Sequence, residues 1–286
     1  MRRVPLNIDL RGKTAIVTGG GGILCGGFSE ALGRCGANVA VLDLRKDAAE
    51  RISDKINESG GKALGIQANV LELESLVRAE KIITKEFGPY NILVNGAGGN
   101  HPKGTTSNEF LSLDDLKSKK KGLTTFFDLN LEGFEFVFDL NVIGTLLPTQ
   151  VFAKKMVYLE GAVIINISSM NAFLPLTKIP AYSAAKAAVS NFTKWLAVHF
   201  SRVGIRVNAI APGFFLTDQN QDLLINNDGT YTNRAEKILN QTPMQRFGKP
   251  SELIGTLLWL VDEQASSFVN GIVVPVDGGF SAYSGI

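Results

Sequence analysis

Residues 14–25 read TAIVTGGGGILC, a short apolar run that leads into four consecutive glycines. Thr14–Val17 has the length and character of a buried strand, and Phe28–Cys35 carries apolar residues at helical spacing. Glycines between a strand and a helix let the backbone turn sharply, and they let a phosphate approach the free N–H groups at the helix start. Taken alone, the four glycines fit equally well a tight turn that binds nothing.

The alternation of strand-like and helix-like segments continues along the chain. Further strands are predicted at Val39–Leu42, Ile92–Val94, Ala162–Ile167, Ile205–Ile210 and Ile272–Val276. Further helices are predicted at Ala48–Glu58, Glu74–Phe87, Leu146–Leu159, Ala181–Phe200 and Ser251–Val261. This pattern predicts an α/β fold, with a single doubly wound parallel sheet and helices on both faces. No linker or repeat divides the sequence, so we expect one domain over residues 1–286.

Two stretches interrupt this alternation. Residues 100–130 are polar and contain a lysine run at 117–121, and residues 214–247 are rich in Asn, Gln, Asp and Thr. Both follow predicted strands, and loops at the carboxyl ends of strands line the ligand crevice of a doubly wound sheet. We therefore expect both to be substrate loops. The lysine run itself is more typical of a solvated surface than of a binding patch.

Composition and charge narrow the classes of protein. The net charge of +2 gives no reason to expect nucleic acid or membrane lipid as a partner. Cys25 and Cys35 are too few for a disulfide scaffold, so a cytoplasmic location is expected. We find no secretory signal, no run of 18 uncharged apolar residues, and no cluster with metal-ligand spacing, so no metal is expected.

An acidic residue follows the glycine turn at the distance that suits a dinucleotide site. Asp43 ends the next predicted strand, and a carboxylate about 20 residues beyond such a turn can accept hydrogen bonds from ribose hydroxyls. The same charge would repel a 2′-phosphate, so the sequence favours NAD over NADP. Arg45 is a counter-argument, because a nearby arginine can accommodate that phosphate.

The most specific local pattern is Tyr182-Ser-Ala-Ala-Lys186. Residues four apart lie on the same face of a helix, and a neighbouring cation lowers the pKa of a phenol, as general acid/base catalysis requires. Ser169 ends a strand-like run, where its hydroxyl could hold a carbonyl oxygen at the crevice. The Tyr/Lys pair alone would more often be a core tyrosine beside a solvated lysine.

The order of these features resembles that of the short-chain dehydrogenase/reductase family. The glycine turn, Asn95-Gly96-Ala97-Gly98, Asn141, Ser169, Tyr182/Lys186 and Pro212-Gly213 occur in the family's order over roughly residues 8–280. The resemblance implies a Rossmann-type fold, a nicotinamide cofactor, and a homodimer or homotetramer. It implies that Tyr182 transfers a proton, that Lys186 lowers its pKa and holds the nicotinamide ribose, that Ser169 orients the substrate oxygen, and that Asn141 holds a water linking Lys186 to solvent.

The resemblance also implies a set of cofactor-binding residues. They are Gly19, Gly21, Gly22, Ile23, Leu24, Asp43, Asn69, Val70, Asn95, Gly96, Ala97, Tyr182, Lys186, Pro212, Gly213, Phe215 and Thr217. Thr217 would bond the nicotinamide carboxamide. The sequence departs from the family at Ile23 and Cys25, which stand at the second and third glycine positions of the turn, and at Asn69, where many members have Asp.

Residues 18–25, 95–106, 127–144, 168–189 and 211–224 resemble one subgroup, the short-chain-type D-mannonate oxidoreductases or D-fructuronate reductases. That resemblance implies NAD-linked interconversion of D-fructuronate and D-mannonate. Amides suit vicinal hydroxyls and cations suit a carboxylate, so the candidate substrate residues are Asn100, His101, Lys103, Asn171, Lys178, Gln219 and Asn220. The alternatives are a gluconate 5-dehydrogenase-like or other polyol dehydrogenase, a ketoacyl reductase, or an NAD-sensing protein without catalysis.

Overall fold

The computed structural model describes residues 8–117, 122–217 and 220–285. Its described residues contain one seven-stranded sheet. Its strands are β1 (Thr14–Thr18), β2 (Asn38–Asp43), β3 (Lys62–Gln67), β4 (Ile92–Asn95), β5 (Val163–Ile167), β6 (Arg206–Pro212) and β7 (Val273–Val276). All pairs are parallel, in the order β3-β2-β1-β4-β5-β6-β7. The chain reverses its direction of winding between β1 and β4, which opens a crevice at their carboxyl ends. The predicted α/β doubly wound sheet is confirmed.

Helices cover both faces of this sheet. They are α1 (Ile23–Arg34), α2 (Lys46–Glu58), α3 (Leu73–Phe87), α4 (Leu113–Lys117), α5 (Leu131–Phe138), α6 (Gly144–Met156), α7 (Pro180–Phe200), α8 (Gln221–Leu224), α9 (Asn233–Gln241), α10 (Ile254–Val261) and α11 (Glu263–Ser266). Val17 packs in a core with residues of α1 and α10, whereas its neighbour Ile16 packs with α3, α6 and α7. Successive strand residues point to opposite faces, so each strand feeds two cores.

No prediction was made for β3, for α5 and α9, or for the short helices α4, α8 and α11. In β3 only Ile66 is buried, because β3 is the edge strand and is not covered like its neighbours. A short strand of mixed polarity lacks the apolar run by which the central strands are recognised. The helices α5 and α9 lie at or inside the stretches interpreted as loops, so those stretches contain more regular structure than predicted.

Helix α1 begins at Ile23, immediately after the glycines, and so extends five residues before the stretch Phe28–Cys35 that shows helical spacing in the sequence. Gly19 has a φ of +63°, and a Cβ there would lie 2.9 Å from the Ala97 backbone, so only glycine fits. Cys25 presents its thiol to Gly96, where any Cβ would collide with the Cys25 sulfur. The glycine at position 96 thus leaves room for the cysteine that replaces a glycine of the family turn.

One apolar stretch, Leu131–Met156, is long enough to cross a membrane by length and composition, with a mean hydropathy of 1.4 over its most apolar window. It consists of α5, a π-helical turn at Asp139–Ile143, and α6. Phe152 and Met156 are fully buried in the core that α6 forms with the sheet. Because core helices often have this composition, a single such stretch is weak evidence for a membrane span.

Candidate active site

Ser169, Tyr182 and Lys186 meet at the carboxyl edge of β5. Ser169 follows that strand and caps a short 3-10 turn at Met170–Ala172, while α7 begins at Pro180 and carries Tyr182 in its first turn. The Ser169 hydroxyl lies close enough to the Tyr182 phenol to lower the pKa of that phenol. The Lys186 Nζ lies 5.6 Å from the centroid of the tyrosine ring. The structure therefore brings together the three residues that helical spacing and strand position indicated.

Burial governs the pKa values of this cluster. It raises the pKa of Tyr182 above its ordinary value, and the neighbouring Ser169 hydroxyl offsets only part of that rise. Burial also lowers the pKa of Lys186 to about 8, and its Nζ donates to the Ile167 carbonyl at 2.8 Å. Desolvation disfavours the charged form of both groups, and the expectation that Lys186 lowers the pKa of Tyr182 stays a prediction.

Asn141 lies in the π-helical turn between α5 and α6. Its Nδ2 donates to the carbonyls of Val137 and Gly99, both at 2.7 Å, and its Oδ1 accepts from the Gly99 N–H at 3.2 Å. A Cβ on Gly98 would lie 2.7 Å from the Asn141 Oδ1 and 3.1 Å from the Lys186 Nζ. Asn141 and Lys186 thus border the same glycine, and a water-holding role for Asn141 stays a prediction.

The start of α1 has free donors for an anion. Gly22 precedes the helix without a side-chain cap, and the first turn contains no acidic residue. The first N–H groups of a helix have no partner within it, so those of Ile23 and Leu24 suit a phosphate. Gly22 itself donates to the Gly19 carbonyl at 3.1 Å, which closes the turn. These donors fit the pyrophosphate of a dinucleotide.

Asp43 connects the glycine turn to the start of α2. Its Oδ2 accepts from the Gly21 N–H and its Oδ1 from the Arg45 N–H, each at 3.0 Å. Each carboxylate oxygen has a further lone pair that a ribose hydroxyl could use. Two cations are close in sequence or in space, since Arg45 is exposed and the Arg51 Nη2 donates to the Gly21 carbonyl at 2.9 Å.

Three of the predicted cofactor residues use their side chains to hold the fold. The Asn95 Nδ2 donates to the side chains of Thr149 and Asn166, both at 2.9 Å, inside the protein. Asn69 bonds to Leu71 and Glu72 at the start of α3, and the Phe215 ring packs against Gly248 in the core. The side chains of Asn95 and Phe215 are therefore occupied inside the protein, and only their backbone atoms remain available for the predicted contact with a cofactor.

The remaining cofactor candidates lie on strand ends at the crevice. Gly96 and Ala97 follow β4, and their N–H groups donate to the Thr18 hydroxyl at 3.1 and 3.3 Å. Gly213 follows β6 at Pro212 and donates to the Val276 carbonyl at 2.9 Å. The last two candidates are Val70, which is buried and follows β3, and Thr217, which is half-buried and follows β6.

The substrate candidates of the first loop contact one another near the surface. The Asn100 amide donates to the Thr105 hydroxyl at 3.2 Å. The His101 Nδ1 accepts from the Lys103 N–H at 3.2 Å, and the histidine ring lies 5.0 Å from the Phe136 ring. The Lys103 ammonium lies 3.8 Å from a Glu132 carboxylate oxygen, and both side chains are exposed.

The other substrate candidates differ in whether their side chains are already hydrogen-bonded within the protein. Asn220 accepts from the Thr217 N–H at 2.9 Å and donates to the Phe215 carbonyl at 2.8 Å, so it holds its own loop rather than offering its amide to a substrate. Lys178 is half-buried, and Asn171 is buried with its Oδ1 unpartnered. Gln219 lies outside the described residues.

Two features of the loops escaped the sequence analysis. An ion pair of 2.9 Å between Glu109 and Lys237 joins the first loop to α9 of the second, and no local pattern signals a pairing over such a sequence distance. The first loop, interpreted as polar, also exposes Phe110, Leu113 and Phe127, which are 79%, 73% and 70% accessible. The polarity of that loop is therefore a weaker argument about the substrate than its composition suggested.

Fold and site together define an oxidoreductase of the dinucleotide-binding type. The chain belongs to the short-chain dehydrogenase family, whose model matches residues 13–228. An uncharacterised oxidoreductase of Haemophilus influenzae is 57% identical over 99% of this chain and 98% of its own. An uncharacterised oxidoreductase of Bacillus subtilis is 51% identical over 99% of this chain and 100% of its own.

A solved structure is similar in fold as well as in sequence. A crystal structure from Haemophilus influenzae with bound NAD, provisionally named a D-mannonate oxidoreductase, superposes with a TM-score of 0.94 at 57% identity. The superposition covers 99% of this chain and 100% of that one.

Proposed function

We propose that the protein is an NAD-dependent oxidoreductase that interconverts a ketone and a secondary alcohol on a sugar acid, with D-fructuronate and D-mannonate as the pair. The observation that carries this proposal is the cluster of Ser169, Tyr182 and the buried Lys186 at the carboxyl end of β5, on the sheet edge where α1 presents its free N–H groups. A protein that only sensed the nucleotide would have no use for the serine and tyrosine hydroxyls together.

The residues of the site have distinct parts in the reduction of a ketone. The Ser169 hydroxyl lies beside the Tyr182 phenol, so a carbonyl oxygen placed between them would accept hydrogen bonds from both hydroxyls. The raised pKa of Tyr182 keeps the phenol protonated at neutral pH, ready to donate its proton as the oxygen gains charge. Lys186 would stabilise the phenolate that remains. When bound, the nicotinamide cofactor supplies the hydride.

Support for NAD and for the sugar acid comes from different sources. The Asp43 carboxylate at the end of β2 favours two ribose hydroxyls over a 2′-phosphate. The similar crystal structure contains NAD and bears a D-mannonate oxidoreductase name, and the likeness covers the whole of both chains. The buried amide of Asn171 and the half-buried Lys178 follow Ser169 along the same segment and suit a hydroxylated anion.

The proposal is tested by following NADH absorbance with a panel of ketones. The panel contains D-fructuronate, 5-keto-D-gluconate and a 3-oxoacyl thioester, each with NADH and with NADPH. D-Fructuronate and 5-keto-D-gluconate differ only in the configuration of the carbon beside the carboxylate, so their comparison isolates the sugar acid. We expect the highest kcat/KM with D-fructuronate and NADH. A higher kcat/KM with 5-keto-D-gluconate or with the thioester would mean that D-fructuronate is not the substrate. NADH binding without turnover of any ketone would favour an NAD-sensing protein without catalysis.

Exchanging Asp43 for Ser is expected to shift the ratio of kcat/KM for NADH over NADPH by about 100-fold towards NADPH, which corresponds to about 3 kcal/mol. The substitution removes the carboxylate that would repel the 2′-phosphate of NADPH. It leaves Arg45 and Arg51, which are close to position 43 and could attract that phosphate. Initial rates with both cofactors give the ratio. Asp47→Ser, an exposed acid at the start of α2, is the matched control. An equal change in both variants would mean that only the overall charge matters.

The pH profile of ketone reduction is expected to report on Lys186. Burial lowers its pKa to about 8, so in the free protein the cation beside Tyr182 is present below that pH and is lost above it. We expect kcat/KM to fall about tenfold per pH unit above this point. In Lys186→Arg the side chain stays charged, so the fall should move to higher pH. An unchanged profile in Lys186→Arg would assign the fall to another group.

We further propose that the protein is a cytoplasmic homodimer or homotetramer. Trp195 and Val198 on the outer side of α7 are 55% and 77% accessible, and the Trp195 and His199 rings stack at 4.5 Å. Large apolar side chains gathered on one surface helix are typical of an interface.

A further inference from the structure

Asn171 carries a buried side-chain amide next to the proposed catalytic residues. The residue is only 5% exposed, and its backbone N–H donates to the Ser169 Oγ at 3.3 Å. Its Oδ1 is buried and has no hydrogen-bond partner among the residues that the structure describes. Buried polar groups nearly always have partners, so an amide oxygen without one at this position needs an explanation.

Three other buried asparagines show what a structural role looks like in this protein. Asn95 also has an unpartnered Oδ1, but its Nδ2 donates to Thr149 and Asn166 and so ties β4 to its neighbours. The other two, Asn166 and Asn208, use both ends of the amide. Asn166 accepts from Asn95 and donates to Thr193, both at 2.9 Å. Asn208 donates to the Val269 carbonyl at 2.9 Å and accepts from the Ile272 N–H at 3.1 Å. In each case both ends of the amide join neighbouring elements. Asn171 makes no such connection, so its amide does not hold the fold together in the same way.

The position of Asn171 indicates what could complete its hydrogen bonding. It lies in the 3-10 turn that follows β5, at the sheet edge where ligands bind in doubly wound folds. The Ser169 hydroxyl lies beside the Tyr182 phenol and accepts from the Asn171 backbone N–H. The backbone of Asn171 is therefore bonded directly to one of the two hydroxyls that would bind the reacting oxygen.

We propose that Asn171 is a specificity-determining residue, whose amide hydrogen-bonds the substrate hydroxyl on the carbon next to the reacting carbonyl. This inference rests on the proposed reduction of a hydroxylated ketone and adds the residue that recognises the hydroxyl. An amide offers both an acceptor and donors, and a hydroxyl can use either. A ketone without that hydroxyl would leave the buried amide unpaired, which is how a polar site rejects a less hydroxylated analogue.

The test compares ketones that differ only in this hydroxyl, in the wild type and in Asn171→Ala. The pairs are D-fructuronate with its 3-deoxy analogue, 5-keto-D-gluconate with its 4-deoxy analogue, and hydroxyacetone with acetone; in both keto acids the hydroxyl removed is on the carbon beside the ketone on its carboxylate side. We expect the wild type to prefer the hydroxylated member of each pair that it reduces by at least about 100-fold in kcat/KM. In Asn171→Ala this preference should fall to within about threefold, with little change for the deoxy ketone. Asn171→Ser should recover part of the preference.

Ser183→Ala is the matched control, because Ser183 is also buried with an unpartnered hydroxyl but lies on α7. Its preference should equal that of the wild type. Equal losses on both members of each pair in Asn171→Ala would overturn the inference, since they indicate a structural role. A wild type that reduces acetone as well as hydroxyacetone would overturn it even if no keto acid is reduced. A preference for the other epimeric keto acid would change the proposed substrate and leave the role of Asn171 intact.

Discussion

Replacing Tyr182 with Phe is expected to lower kcat for ketone reduction by about 10³-fold, within the usual range for loss of a general acid. The Tyr182 phenol lies beside the Ser169 hydroxyl. Phenylalanine keeps the aromatic ring but removes the hydroxyl proton that Tyr182 is proposed to donate to the substrate. Because the ring remains, NADH affinity should change by less than about threefold. Steady-state rates give kcat, and quenching of NADH fluorescence gives the affinity.

Tyr158→Phe is the control for Tyr182→Phe, since Tyr158 is 78% exposed and lies after α6, outside the crevice. It should keep wild-type kinetics. Retention of kcat in Tyr182→Phe would remove the tyrosine from the mechanism. A large loss of NADH binding together with kcat would instead mean that the phenol holds the cofactor.

Lys186→Met is expected to lower kcat/KM by about 10³-fold and, unlike Tyr182→Phe, to weaken NADH binding by about tenfold or more. The side chain is 4% exposed, with its Nζ beside the tyrosine ring and bonded to the Ile167 carbonyl. Methionine fills a similar volume but removes both the charge that stabilises a phenolate and the donor for a ribose hydroxyl. The same rate and fluorescence measurements separate the two effects.

Lys194→Met removes an exposed lysine from the same helix and is the matched control. We expect it to behave as the wild type. If Lys186→Met keeps wild-type NADH affinity and loses only kcat, the ribose contact is absent and the lysine acts through Tyr182 alone. If it keeps both, the lysine has no part in the reaction.

The fold could be predicted well because its signals are local. Central strands such as β5, with four of five residues fully buried, form continuous apolar runs. Helices such as α3 have their apolar residues on one face. The edge strand β3 has no such run, because one of its sides has no neighbouring strand, and only Ile66 is buried there. Its assignment depends on pairing with β2, which is a contact between distant parts of the chain.

The site was predictable where it depends on spacing along one element. Tyr182 and Lys186 are one helical turn apart, so their proximity follows from α7 alone. The partners of side chains were less predictable. Asn220 was expected to contact substrate, yet its amide bonds to Phe215 and Thr217 within its own loop. The types of residue indicate that hydrogen bonds form, but the fold decides with which groups.

The sequence by itself therefore determined the order of the central strands and of the long helices that flank them, the glycine turn at the start of α1, and the proximity of Tyr182 and Lys186 in the proposed proton-transferring cluster. These follow from periodicity and from spacing over a few residues, which act within single elements. Only the tertiary structure decided the raised pKa of Tyr182, the lowered pKa of Lys186 and the unpartnered amide of Asn171. Burial and hydrogen-bond completion depend on atoms from several elements that meet at one edge of the sheet, and no local pattern encodes that meeting.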